Sequence, residues 1–389
     1  MASTAISRVA PPRKHIRWLD VKEQLTGYLF IFPAVLIIAL FGIFPIGYAF
    51  YMSLYNWAVR KGPFVGDDNY QKALGDWSSV LIFIVGIAML FLAYLLWDSA
   101  LRSHSNLGLL LKVGAAMLLI GAFFVAPVGW EQMLESGDTD FLNSLPITLY
   151  YALGTVPAEL GLALVLAYIL FQKIKGKELF RMLYFLPYIT PVVATAVVFR
   201  TIFSPRETSL ANQFLSALGQ EPQKWLFESK PFNQVMLGID WLEGFWAGPS
   251  MALVTIVLFG IWTYVGYNTV IFLAGLGSIP QELYEAAQID GASTWNLFRN
   301  ITLPLLSPIT FYLALVAFIG TFKAFNHIFV MRVPAAQGTV DVTSVFIFDT
   351  FYSYTQFGYA TAQAIVLFAI ILVLTFVQNK VLGEKVFYG

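Results

Sequence analysis

Residues 251–304 read MALVTIVLFGIWTYVGYNTVIFLAGLG and then SIPQELYEAAQIDGASTWNLFRNITLP. The first part is an apolar run longer than the roughly 20 helical residues that cross a hydrocarbon core of about 30 Å. The second part changes character at once. Gln281 to Ile289 is a run of good helix formers with neighbouring alanines, whose small side chains let a partner approach the backbone. Asp290-Gly291 is a turn signal, Thr294 to Asn300 suits a second short helix, and Pro304 suits the first turn of the apolar segment that follows. The stretch therefore reads as a membrane helix, a polar surface loop and the start of another membrane helix.

The rest of the chain has the same character. Of 389 residues, 58% are hydrophobic and 12% are charged, against about 25% charged in soluble domains. Mean hydropathy is +0.71. The expected fold is an all-α integral membrane protein, because lipid leaves no partner for an open backbone. Formal net charge is +0 and gives no basic surface for nucleic acid. The chain has no cysteine, which excludes disulfides, thiol catalysis and thiolate metal sites. His15, His104 and His327 are scattered, so no metal centre is expected.

About eight spans are expected: Tyr28 to Tyr51, then 79–97, 109–128, 146–171, 180–203, 251–277, 305–330 and 359–382. The first is read as an uncleaved span after a polar tail (1–27), since a signal peptide has a shorter apolar core and a small-residue cleavage site. Pro33, Pro45, Pro157, Pro187 and Pro191 fall inside spans as tolerated kinks. With the N-terminus inside, the inner segments hold 13 basic residues: Arg8, Arg13, Lys14, Arg17, Lys22, Arg102, Lys173, Lys175, Lys177, Arg181, Arg299, Lys380 and Lys385. The outer segments hold seven: Arg60, Lys61, Lys72, Arg206, Lys224, Lys230 and Arg332. That asymmetry places both termini inside. Loop 129–145 carries acids but no basic residue and is expected outside, as is the long segment 204–250.

By local chemistry alone the loop after residue 277 also fits an ordinary linker lying on the membrane surface. Its spacing says more. Glu285-Ala286-Ala287, three residues, Gly291, nine residues, then Ile301-x-Leu303-Pro304 resembles the signature loop of bacterial ABC importer membrane subunits at all seven fixed positions. Phe32-Pro33-Ala34, Ser53 to Trp57, Asp68-Asn69-Tyr70, Tyr184 to Pro187, Ile279 to Tyr284 and Phe322 to Asn326 follow in the order of the carbohydrate branch. The chain looks most like the larger membrane subunit of maltose- and glycerol-phosphate-type importers.

The resemblance implies a first transmembrane helix at 28–52 and a type I permease core at 141–385 with its coupling loop at 278–304. Region 53–140 departs from the family by an inserted hairpin, 79–97 and 109–128, for which peripheral packing is expected. Glu285, Ala286, Ala287 and Gly291 would dock on a cytoplasmic ATPase dimer, and Ile301, Leu303 and Pro304 would anchor the loop to the next span. A second permease subunit and an extracytoplasmic solute-binding protein are implied partners, in a bacterial or archaeal plasma membrane. No phosphate loop G-x-x-x-x-G-K-[ST] occurs, so ATP and Mg are expected on the ATPase and no cofactor on this chain.

Charged side chains inside spans cost about 2.5–3.5 kcal/mol each at a helix centre, which draws attention to Glu159 and Lys323. Glu159 fits either an interhelical hydrogen bond or a transport role; Lys323 fits either structural pairing or gating and binding. Gly260, Thr263, Tyr264 and Tyr267 share one helical face, where aromatic rings and hydroxyls suit a sugar but also suit plain packing. The family resemblance adds Lys323, Asn326 and His327 to this substrate path. An uncharged or weakly charged sugar or polyol is the expected solute. An ion-coupled secondary transporter is the alternative; it calls for repeated halves and matched intramembrane acids, and only Glu159 is found. A membrane enzyme lacks a reactive constellation.

Overall fold

A computed structural model describes residues 18–103, 106–172, 175–383 and 386–387. Arg8, Arg13, Lys14, His15, Arg17, His104, Lys173 and Lys385 lie outside the described residues. The chain divides into two compact units, residues 1–51 and 52–389.

α1 (Trp18–Ile38) runs through a widened turn (Ala39–Ile43) into α2 (Phe44–Ser53), which ends two residues past the limit of the first unit, so helix begins well before the expected Tyr28. Pro45 accounts for the widening. It has no N–H to offer the carbonyl one turn back, and the Phe44 N–H reaches to Ala39 instead.

The second unit opens with strands β1 (Tyr55–Trp57) and β2 (Lys61–Phe64), paired antiparallel, and α3 (Asp68–Leu74). The Asn69 amide donates to the carbonyls of Ser53 and Tyr55 at 2.8 and 3.1 Å, and the Tyr70 and Ser53 hydroxyls meet at 2.6 Å. Two short motifs of the sequence are thus halves of one contact. Gln71 and the Trp77 indole donate to Asp67 and hold its carboxyl below the usual range.

The inserted hairpin is α4 (Trp77–Arg102) and α5 (Asn106–Ser136). Ser79, Gly86, Ala93 and Ala100 recur every seven residues on α4, as do Gly108, Ala115, Ala122 and Gly129 on α5, and all eight are buried. A Cβ on Gly86 would meet the Ala126 backbone at 2.7 Å, and one on Gly129 would meet Phe83 N at 2.4 Å. Small residues let the two backbones approach this closely. Both helices outrun their expected limits, and the expected loop 129–145 is a correction: α5 continues to Ser136 and α6 (Thr139–Phe171) starts after Gly137-Asp138. The Asp138 carboxylate accepts the N–H groups of Asp140 and Phe141, capping α6.

The expected span 180–203, in which Pro187 and Pro191 are read as tolerated kinks, is also corrected. It is two helices, α7 (Lys177–Ile189) and α8 (Val192–Ile202), bent by 96°. Thr190 precedes Pro191 and is extended (ψ 146°), since proline disfavours helix at the residue before it. The segment before the next span holds α9 (Leu210–Ala217) and α10 (Phe232–Leu237). Asn212 organises it, donating to Arg206 and Gln223 carbonyls and accepting from the Gln223 N–H and the Trp225 indole.

After α11 (Met251–Ser278) come α12 (Gln281–Ile289), α13 (Thr294–Leu297), a widened turn (Phe298–Thr302), α14 (Leu303–Leu305) and α15 (Ser307–Phe322). Pro304 therefore does not open the span as expected. It lies in the helical run before a 60° bend, and Pro308 occupies the first turn of α15. The expected span 305–330 ends early at Phe322; α16 (Asn326–Met331) follows a break at Lys323–Phe325, then α17 (Thr343–Phe348) and α18 (Phe357–Leu382). Among the described residues six helices are long and apolar enough to cross a membrane, and counting each of the two bent pairs as one span brings the number to eight. This agrees with the span count.

The centre is the seam between α6 and α11. Tyr151, Thr155, Glu159, Ala163 and Ala167 form a buried row on α6, each four residues from the next. Ile256, Gly260, Asn268, Phe272 and Leu276 form the facing row on α11. Rows of this spacing interlock as ridges in grooves. The seam is apolar towards Leu276 and polar in its middle third.

Candidate functional site

Two sites can be placed on this frame, the loop after α11 and the polar face beside the seam.

The loop is well defined. α12 ends in a reverse turn where the Gly291 N–H donates to Gln288 at 3.0 Å and the Ala292 N–H donates to Ala287 at 2.9 Å. This pair of bonds closes a helix whose next residue is left-handed, and Gly291 has φ +79°. Ser293 then caps α13 through the Asn296 N–H. Glu285 and Ala286 are exposed and Ala287 half-buried; Glu285 accepts from the Gln281 amide at 2.7 Å. No residue of α12 is buried, and Leu283, Ile289 and Trp295 project apolar side chains beside it. The loop thus presents a small-residue helix edged by apolar knobs.

Its anchoring differs in detail from expectation. Ile301 and Pro304 are half-buried and Leu303 is exposed, while Leu297, Thr302 and Leu306 are buried. The Tyr284 hydroxyl meets Thr302 Oγ1 at 3.0 Å, and the Phe298 ring packs on Tyr168 of α6 with centroids 4.8 Å apart. Thr302 and Phe298 were not singled out by the sequence, and Tyr284 entered only as the end of the Ile279 to Tyr284 stretch. Of Ile301, Thr302 and Leu303, Thr302 is the buried one, at the end of the widened turn.

The four-residue face on α11 divides in two. Gly260 and Thr263 are buried; a Cβ on Gly260 would stand 2.7 Å from the Tyr151 hydroxyl, so this glycine admits the tyrosine. Tyr264 and Tyr267 are only partly covered, and they meet Tyr188 of α7 at centroid distances of 6.1 and 4.6 Å. Tyr188 was missed, although its place just before the Thr190-Pro191 break was a usable signal. Gly266, between them, carries the close approach of α11 to α7: a Cβ there would lie 1.9 Å from the Tyr184 carbonyl oxygen.

Lys323 and Asn326 are exposed at the break after α15, and among the described residues Lys323 forms no ion pair. His327 is not with them. It is buried against α6, its Nε2 2.7 Å from the Tyr151 hydroxyl and its ring stacked on Phe259. The substrate-path residues are therefore split between a partly open group (Tyr264, Tyr267, Lys323, Asn326) and a packed one (Gly260, Thr263, His327). Glu159 is 3% exposed on the buried row of α6, and its Oε2 has no hydrogen-bond partner. Among the described residues no cluster of three or more His, Asp or Glu is placed to hold a metal.

Residues 159–387 match the family described as binding-protein-dependent transport system inner membrane component. The chain is 34% identical over 262 residues to the arabinooligosaccharides transport system permease protein AraP of Bacillus subtilis, covering 67% of this chain and 77% of that one. It is 26% identical over 365 residues to the trehalose/maltose transport system permease protein MalF of Thermococcus litoralis, covering 93% and 95%. In fold it resembles a chain of a bacterial alginate ABC transporter solved with a pentasaccharide-bound periplasmic protein, with TM-score 0.60, 18% identity and coverage of 93% and 96%.

Proposed function

Because the chain belongs to the binding-protein-dependent transport system inner membrane component family, we propose that it is the permease subunit of an ATP-driven sugar importer. It forms half of the translocation path, and its loop 278–304 couples that path to a separate ATPase. The observation that carries this reading is the loop itself. Three of its seven signature positions, Glu285, Ala286 and Ala287, stand on a short helix closed by the left-handed Gly291, and among the described residues no residue of that helix is buried. The sugar class is supported by the names of AraP and MalF and by the cluster of Tyr188, Tyr264 and Tyr267, whose faces suit sugar C–H surfaces.

On this reading a second permease completes the pore, a cytoplasmic ATPase dimer binds ATP and Mg and receives α12, and an extracytoplasmic binding protein delivers solute. The membrane is the plasma membrane of a bacterium or archaeon, with both termini and loop 278–304 inside.

Orientation is the requirement most easily tested. In this cysteine-free chain, Glu221→Cys should react with an impermeant thiol reagent added outside intact cells. Ala286→Cys should react only after the membrane is opened. Labelling of both from outside would remove the loop from the side where an ATPase resides.

A further inference from the structure

Residues 383–387 return to the corner where loop 278–304 runs into α15. α14 and α15 meet there at a 60° bend, between Pro304, the last signature position, and Pro308. Pro308 has no N–H to offer the Pro304 carbonyl four residues back. The Ser307 hydroxyl serves instead, donating to that carbonyl at 2.7 Å. Its oxygen is still free to accept, and it accepts the Phe387 backbone N–H at 2.9 Å. Past the end of α18 the chain turns, with the Val386 N–H donating to the Gly383 carbonyl at 3.2 Å. Gly383 itself lies against α15 one turn beyond Ser307: a Cβ on it would stand 3.5 Å from the tip of the Phe311 ring. Ser307 and Phe311 are four residues apart and share one face of α15, so the tail follows that face.

On the reading of loop 278–304 as the coupling element, we infer that Gly383–Phe387 is a strap that restrains its movement until loaded binding protein arrives. A push on α12 reaches α15 through this corner, because α13 and α14 lead from one to the other. The strap ties the corner to the end of α18. While the Ser307–Phe387 bond stands, the corner cannot shift relative to α18, so the bond favours the position in which it is made. A single hydrogen bond between neutral groups biases a joint without locking it. The contact is made by the backbone, since the Phe387 ring is 53% exposed. It therefore opens without uncovering a packed core.

The bond can be cut without removing the strap. Phe387→Pro deletes the N–H, whereas Phe387→Ala keeps the N–H and removes only the ring. In the complete importer reconstituted with its ATPase, second permease and binding protein, Phe387→Pro should raise ATP hydrolysis without solute about fivefold, the size expected for one neutral hydrogen bond. Phe387→Ala should not. Hydrolysis with loaded binding protein should stay at its normal level in Phe387→Pro, a pattern that damage to the fold does not produce. A chain ending at Gly383 should match Phe387→Pro. Ser307→Ala combined with Phe387→Pro should rise no further than Ser307→Ala alone, since both break one contact. Unchanged hydrolysis without solute in Phe387→Pro and in the shortened chain would overturn the strap, as would an equal rise in Phe387→Ala. Should the shortened chain not assemble, the contrast between proline and alanine at 387 still decides. Gly291→Pro separates the strap from the reading beneath it. If Gly291→Pro keeps normal solute-stimulated hydrolysis, the coupling reading fails; if it loses stimulation while Phe387→Pro changes nothing, only the strap fails.

Discussion

Gly291→Pro and Ala287→Trp should leave the chain in the membrane and abolish the dependence of ATP hydrolysis on loaded binding protein. Gly291 holds φ +79°, which proline, fixed near −65°, cannot adopt. The substitution also deletes the N–H that donates to Gln288 and disturbs the adjoining bond from Ala292 to Ala287, so the end of α12 opens. Ala287→Trp acts differently. The helix would keep its form, but a large ring at a half-buried position would hold its docking edge away from a partner. Gly291→Ala grades the effect, because a left-handed backbone costs a residue with a Cβ only about 1–2 kcal/mol; it should weaken coupling without removing it. Co-purification with the ATPase, then hydrolysis and uptake in vesicles, measures all three. Normal solute-stimulated hydrolysis and uptake in both Gly291→Pro and Ala287→Trp would mean that α12 is not the coupling element.

The second large effect concerns folding. Gly266→Val would place a Cβ 1.9 Å from the Tyr184 carbonyl oxygen and 3.1 Å from the Phe185 Cα. Both are backbone atoms that cannot rotate aside, so α7 must leave α11. Overpacking a flexible core costs about 1–3 kcal/mol, and a backbone clash exceeds that range. We expect loss of the folded chain from detergent extracts, seen as a collapsed thermal transition or as failure to co-purify with partners. Gly277→Ala is the matched control, on the same helix with nothing within 4 Å of the added carbon. It should be neutral or slightly stabilising, since alanine favours helix over glycine by about 1 kcal/mol. Equal behaviour of the two variants would contradict the close α7–α11 approach.

Much of this architecture was legible because lipid restricts what a chain can do. Long apolar runs had to be helices, and the span count followed. The glycine-closed loop was legible because Asp290-Gly291 has few other uses after a run of helix formers. Bends were not legible. Pro191 and Pro308 sit in apolar surroundings, and hydropathy cannot distinguish a tolerated kink from a 96° break. Orientation of α11 was only half legible: periodicity grouped Gly260 and Thr263 with Tyr264 and Tyr267, but it cannot tell that the first two are buried and the tyrosines only partly covered. His327 was placed on the path by the family resemblance, whereas its hydrogen bond to Tyr151 accounts for its burial against α6. The small-residue rows of the hairpin repeat every seven residues and were readable, but the apolar runs around them masked the pattern.

We propose that this permease works by ATP hydrolysis on a partner and not by an ion gradient. The direct measurement is sugar uptake into vesicles holding the reconstituted importer, with loaded binding protein outside. Ionophores should collapse every ion gradient, and ATP should be present or absent within. Uptake is expected with ATP in the absence of any gradient, and not without ATP. Uptake that needs no ATP and stops when the gradients are dissipated would contradict it.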